Sequence, residues 1–100
     1  MIIRVFRPKI HPGMEKEFES FLQETAVPLV SQQSGIIAQH VGRPLDSSST
    51  EYLYITVWED VESIRAFAGE RWQEAVIDPD EEHLLKSTWI EHYETLDDSG

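Results

Sequence analysis

The sequence predicts an α+β domain of strand–helix–strand–strand–helix–strand order, and three observations carry the prediction. Residues 51–59, Glu-Tyr-Leu-Tyr-Ile-Thr-Val-Trp-Glu, alternate aliphatic with aromatic. In an extended strand Leu53, Ile55 and Val57 point one way, and Tyr52, Tyr54, Thr56 and Trp58 the other. A sheet with one wet face alternates apolar with polar instead, so both faces of this strand are expected to be covered. Residues 14–32 repeat apolar side chains at helical spacing, and three further strand-like runs lie at 2–7, 36–42 and 88–96. The helices of a 100-residue chain cover one face of such a sheet. The second cover is expected from another copy, making a homodimer with Trp58 and Tyr54 at its seam.

The first strand, Ile2 to Arg7, is expected to end at Pro8. It places Ile3 and Val5 on one face, and Ile2, Arg4 and Phe6 on the other. Lys9-Ile10-His11-Pro12-Gly13 turns into a helix whose apolar stripe is Met14, Phe18, Phe21, Leu22, Ala26 and Leu29. Pro28 lacks an amide proton and crowds the preceding turn, so it is expected to kink or end this helix. Ser34-Gly35 stops it, and Ile36 to Gly42 forms the second strand, with Ile36, Ala38 and His40 on one face. Residues 43–50, rich in Pro, Asp and Ser, form a surface loop.

After the doubly apolar third strand, Asp60 caps a short helix carrying Val61, Ile64, Phe67 and Ala68, with Gly69 at its end. Trp72, Ala75, Val76 and Ile77 suggest another helical turn or two. Asp78-Pro79-Asp80-Glu81 is a helix start with proline at the first position and a carboxylate at the third. Thr88 to Leu96 is the last strand. The order is that of a ferredoxin-like domain with a four-stranded antiparallel sheet, one domain over 1–96, followed by an acidic tail, 97–100, expected to be disordered.

Composition narrows the function. A net charge of −11 argues against nucleic acid and anionic membrane surfaces as partners. No apolar run reaches the roughly 20 residues that span a bilayer, and the first residues lack the features of a signal peptide. With no cysteine there is no disulfide, thiolate metal site or cysteine nucleophile. A cytoplasmic protein is the expectation.

With the elements in order, the chain resembles the antibiotic biosynthesis monooxygenase superfamily, the dimeric α+β barrels. The resemblance covers nearly the whole chain. It rests on Ile3-Arg4-Val5, Gly35, Val57-Trp58 and Ser63-Ile64-Arg65-Ala66-Phe67-Ala68-Gly69. It continues through Trp72 with Ala75-Val76, Pro79, Leu84-Leu85 and Glu91-His92-Tyr93-Glu94. These residues mark architecture and are not a catalytic signature. The resemblance implies a pocket inside each protomer, between sheet and helices. It also implies an activity like that of the cofactor-independent monooxygenases that oxidise phenolic polyketides to quinones. Haem-degrading relatives use an asparagine on the first strand, a tryptophan in the helix after the third, and a histidine about ten residues on. A hand alignment puts Arg7, Phe67 and Ile77 there, so haem degradation is not expected.

The expected function is thus oxygenation of a small aromatic or polyketide-like compound without a cofactor. The alternative is a dimer that binds a small apolar ligand without turning it over, or a stress-associated dimer. His92, mid-strand and able to titrate near neutral pH, is the first candidate for a proton acceptor, and His40, beside the small Ala38, is the second. Each has a rival structural reading, as a hydrogen-bonded strand histidine and as an edge or interface histidine. Whether they share a face depends on register. Trp72, Trp89, Phe67 and Phe21 are candidates to hold an aromatic substrate, with plain core packing as the rival. Arg4 is a candidate anchor for an anionic oxygen. No metal site is expected, because Glu91 and His92 are neighbours on a strand and point to opposite faces, and capping accounts for the carboxylates before His83.

Overall fold

A computed structural model describes residues 1–96; the predicted acidic tail, 97–100, lies outside the described residues. The strands are β1 (Ile2–Ile10), β2 (Ile36–Gly42), β3 (Leu53–Trp58) and β4 (Leu85–Glu94). They form one antiparallel sheet in the order β2-β3-β1-β4. The helices are α1 (Glu15–Phe21), α2 (Val27–Ser31) and α3 (Val61–Ala68), all on one face of the sheet. This is the ferredoxin-like α+β architecture that the order of elements predicts.

β1 runs through the predicted stop at Pro8 to Ile10, three residues past Arg7. Proline cannot donate to a ladder, but the pairing of β1 with β3 has already ended at Phe6, opposite Tyr54. Beyond it the Pro8 carbonyl accepts from the Tyr52 amide at 2.8 Å, so the strand continues at no cost in hydrogen bonds. Pro28 is accommodated differently. The five residues before α2, Leu22–Ala26, widen into a π-helical turn, and Pro28 falls in the first turn of α2, where its missing amide is unneeded. The helix therefore continues to Ser31 with an irregular middle.

The sheet's two faces are the reverse of the seam expected for Trp58 and Tyr54. Tyr52, Tyr54, Thr56 and Trp58 are buried beneath the helices, Trp58 completely. Ring packing and polar tips explain the choice. Trp58 stacks on Phe67 with centroids 5.5 Å apart, and Tyr52 meets Phe18 edge-on at 5.1 Å. The Tyr52 hydroxyl donates to Glu19 at 2.6 Å, Tyr54 donates to Gln39, and Trp58 Nε1 donates to Thr56 Oγ1 at 2.8 Å. The helix side of the sheet supplies the volume for these rings, and Glu19 of α1, Gln39 of β2 and Thr56 of β3 take their polar tips there. The uncovered face is the aliphatic one, carrying Ile3, Val5, Leu53, Ile55 and Val57.

A register shift between Ile36 and Ala38 separates two residues predicted to share a face. Ile36 lies opposite Trp58 and packs on the core, whereas Ala38 and His40 lie opposite Val57 and Ile55 on the open side. Gly35 sits just before this bulge at φ +86°, a left-handed conformation that favours glycine.

The stretch predicted to hold helical turns at 70–77 and a helix from Asp78 is instead a loop. Gly69, at φ +89°, ends α3. Turns at 70–73 lead to an extended passage, and the only regular element before β4 is a single 3₁₀ turn, Glu82–Leu84. The predicted capping contacts do form: Asp78 Oδ1 accepts from the Asp80 amide at 2.8 Å, and Glu81 Oε1 from the Asp78 amide at 3.1 Å. Leu85 then joins β4 opposite Ile10, which ends the turn before a helix can grow. Among the described residues, no helix is long and apolar enough to cross a membrane.

Candidate active site

The loop from 70 to 84 does not pack flush on the sheet, and between it, the helices and the strands lies a cavity of about 310 Å³. Its floor is Arg4, Phe6, Tyr54, Thr56, Trp58 and Ile90 from three strands. Phe21, Leu22, Ala26 and Val30 close it on one side, Phe67 of α3 on another, and Ala75 to Pro79 with Glu81 form its rim. The walls are mostly apolar, with a few polar groups directed inward, the usual make-up of a small-molecule site. An apolar cavity of about 150 Å³ takes one benzene, so this one suits roughly two fused rings.

Arg4 is the charged group of the floor. Only 6% exposed, it has no carboxylate partner among the described residues. Nη1 donates to the Trp72 carbonyl at 2.6 Å and lies 2.7 Å from His92 Nε2, and Nη2 donates to the Glu74 carbonyl at 3.1 Å. The guanidinium thus pins the loop over the cavity through backbone oxygens. Burial brings its pKa down to about 10, which still leaves it charged near neutral pH. An uncompensated buried cation at a cavity wall is a place for an anion.

The structure brings some of the predicted site residues together and disperses others. Arg4, Phe21 and Phe67 line the cavity. His92 shares their side of the sheet, opposite Arg4 in the β1–β4 ladder, but stands behind the guanidinium and does not line the cavity. Because arginine only donates, His92 Nε2 is the acceptor of the contact. Burial, and then the charge of Arg4, hold the imidazole below its usual pKa, so it is neutral near pH 7. Trp72 packs edge-on against the His92 ring, centroids 5.0 Å apart, and buttresses the pair from outside the cavity.

His40 and Trp89 lie on the opposite, open face. The β2 register carries His40 there, exposed, and Trp89 stacks over Arg7, whose guanidinium is 4.3 Å from the ring centroid. His40 and His92 therefore stand on opposite sides of the sheet. Arg7 also faces away from the cavity, and the neighbouring β1 residue that enters it is Phe6.

Glu81 is the site residue that sequence reasoning missed. As the third residue of the expected helix start it makes its capping contact, but the same turn buries it to 4% exposure at the cavity edge. Oε1 accepts the Asp78 amide; Oε2 has no hydrogen-bond partner among the described residues. Burial pushes its pKa up to about 7, with the Asp78 amide opposing and the Asp78 charge assisting. One signal was available in the sequence: Glu81 falls between the apolar pairs Val76-Ile77 and Leu84-Leu85, an unusual setting for a solvated cap.

The donor set bears on metals and haem. Among the described residues no group of three His, Asp or Glu side chains is placed to hold a metal ion, and His83 is paired with Glu17 at 2.7 Å. The cavity lining contains no histidine, cysteine or methionine, and the Tyr54 hydroxyl is engaged by Gln39. These residues do not fit a haem iron.

No curated protein matches the chain significantly. Among solved structures it resembles SnoaB, a cofactor-independent oxygenase from Streptomyces nogalater, with a TM-score of 0.72 at 24% identity over 96% of this chain and 93% of that one. It also resembles the heme-degrader MhuD from Mycobacterium tuberculosis, with a TM-score of 0.72 at 18% identity over the whole of both chains. At such identities the likeness is one of fold. The match of residues 1–79 to the antibiotic biosynthesis monooxygenase family goes further, spanning the three helices, the first three strands and the cavity rim as far as Pro79, and places this chain in that family.

Proposed function

We propose that the protein is a cofactor-independent monooxygenase acting on a small phenolic or polyketide-like aromatic compound bound in the cavity between sheet and helices. The observation that carries this reading is Arg4, a buried cation without a carboxylate partner among the described residues, facing an apolar space sized for about two rings. A phenol or anthrone-type substrate loses a proton on the way to reaction with dioxygen. A fixed guanidinium beside the nascent oxyanion lowers the cost of that loss in a site with little water. For an anthrone, the ring CH₂ gives up both hydrogens. One atom of dioxygen becomes the new carbonyl and the other leaves as water, so the balance needs no external reductant.

His92 acts through Arg4 in this scheme. As a neutral acceptor it fixes Nη1 without competing for the anion, and Trp72 fixes its ring. The alternative, an apolar-ligand carrier without turnover, would call for walls with no ionisable group. Arg4 and Glu81 at the same cavity favour the oxygenase. Supported by the uncovered aliphatic face of the sheet, the working form is read as a homodimer.

Incubation with hydroquinones and anthrone-type compounds under oxygen, followed by quinone absorbance, tests the reading. Wild type is expected to form quinone, with kcat/KM falling about 10²-fold in Arg4→Met. His92→Ala is expected to lose less, and His92→Gln, which keeps an acceptor, to recover part of that loss. A wild-type chain that turns over nothing across a broad panel would overturn the proposal.

A further inference from the structure

We propose that Glu81 is the proton acceptor of the cavity, taking the substrate's acidic hydrogen while Arg4 holds the anion that remains. The catalytic consequence rests on the oxygenase reading above; the proton transfer itself does not, and shows in binding alone. Three observations support it. Glu81 is 4% exposed, yet it stands on the wall of a mostly apolar cavity. One of its oxygens is fixed by the Asp78 amide, which orients the carboxyl group, and the other has no hydrogen-bond partner among the described residues. Arg4 lines the same cavity and forms no ion pair with it. A base and a cation that face one cavity without neutralising each other suit a ligand with one ionisable hydroxyl.

The step is balanced within the site. The substrate O–H bond breaks and an O–H bond forms on Glu81 Oε2. The electron pair stays on the substrate oxygen beside the Arg4 guanidinium. No electron leaves the substrate in this step, and dioxygen enters only afterwards. A carboxyl group pushed up to about 7 is well matched to accept a proton and release it again near neutral pH.

The other ionisable groups at the cavity do not take this role. Arg4 and Tyr54 come from the sheet and Asp78 from the same turn, while α1, α2 and α3 contribute no charged side chain. Tyr54 is pushed up to about 12 by burial and stays protonated, with its hydroxyl donated to Gln39. Asp78 holds the Asp80 amide with Oδ1 and, unlike Glu81, is only half-buried. His92 stands behind Arg4 with Nε2 occupied.

The test is calorimetric titration of the full chain with 4-nitrophenolate at pH 8, in two buffers of different ionisation enthalpy. Glu81 is mostly ionised there, and an anion arriving in the cavity makes it take up a proton. Wild type is expected to bind one phenolate with uptake of more than about half a proton, and Glu81→Gln, which keeps an oxygen for the Asp78 amide, with almost none. His92, held below its usual range, remains neutral at this pH in both proteins. Equal uptake in the two proteins, or no phenolate binding to wild type, would overturn the assignment. Where the panel above yields a substrate, kcat in Glu81→Gln should fall about 10²–10⁴-fold with little change in KM. Proton uptake without turnover would sink the oxygenase reading and leave Glu81 as the acceptor; undiminished kcat in Glu81→Gln would sink the acceptor.

Discussion

Glu81 makes stability as well as chemistry depend on pH. Its pKa in the folded protein is about 7 against an ordinary 4.5, so between those values the folded chain holds a proton that the unfolded chain has released. Stability is therefore lost as pH rises through this window, by up to about 3 kcal/mol from this group. Denaturant unfolding at pH 5 and pH 8 should show wild type losing more stability on going to pH 8 than Glu81→Gln does. Equal losses would mean that the carboxyl group is better hydrated than its burial implies. Arg4 was legible in the sequence, because a lone arginine between Ile2 and Phe6 on a strand face has to answer to something buried. Glu81 was not, because a local role as a helix-capping carboxylate already explained it. Its burial comes from a loop path that depends on contacts up to 70 residues away, such as Arg4 with Glu74. The histidines were ambiguous for a simpler reason. Strand alternation assigns a face only within one unbroken register, and β2 carries a bulge between Ile36 and Ala38.

Among the elements, the four strands and the helices α1 and α3 follow from periodicity, with β1 ending later and β4 lying earlier (Leu85–Glu94) than the predicted 88–96, and the expected Asp60 cap forms, its Oδ1 accepting from the Ser63 amide at 2.8 Å. The segment from 70 to 84 did not follow. Trp72, Ala75, Val76 and Ile77 are spaced as on a helix, but they are apolar because they buttress or border a cavity, and periodicity does not distinguish a wall from a stripe. The contact between Gly35 and α3 gives the elements their sharpest test. A Cβ on Gly35 would lie 2.0 Å from Ser63 Oγ and 2.5 Å from Ser63 Cβ, and the backbone there is left-handed. Ser63 cannot retreat easily, since its hydroxyl and amide both bind Asp60 Oδ1. Gly35→Ala should cost at least about 2 kcal/mol, seen as a lower thermal midpoint. Adding Ser63→Ala should recover little, because the Ser63 Cβ is itself too close, whereas adding Ser63→Gly should recover more. A Gly35→Ala chain as stable as wild type would mean that β2 and α3 are not held this tightly.

For the whole molecule the question is which face of the sheet the proposed homodimer would bury. A strand with two apolar faces said that both would be covered but not which cover was which, since aromatic and aliphatic rows bury comparable area. Trp58 and Tyr54 went under the helices, where their polar tips find partners, and left Ile3, Val5, Leu53, Ile55 and Val57 on the outside with Trp89 and Tyr93, the last two 42% and 49% exposed. A contiguous patch of this kind on a chain this small is the surface that the proposed homodimer would bury. Ile55→Glu should therefore yield a monomer by light scattering while near-ultraviolet circular dichroism stays native, because it places an unpaired charge at the centre of the seam. Trp58→Ala should do the opposite and destabilise the protomer by about 3–5 kcal/mol through the cavity it leaves. Each chain carries a net charge of −11, so association of the wild type should also strengthen with salt as repulsion between the copies is screened. If Ile55→Glu remained dimeric at low salt, the copies would have to meet elsewhere. The aliphatic face would then be an exposed surface needing another explanation, while the cavity, enclosed by residues of a single chain, would stand unchanged.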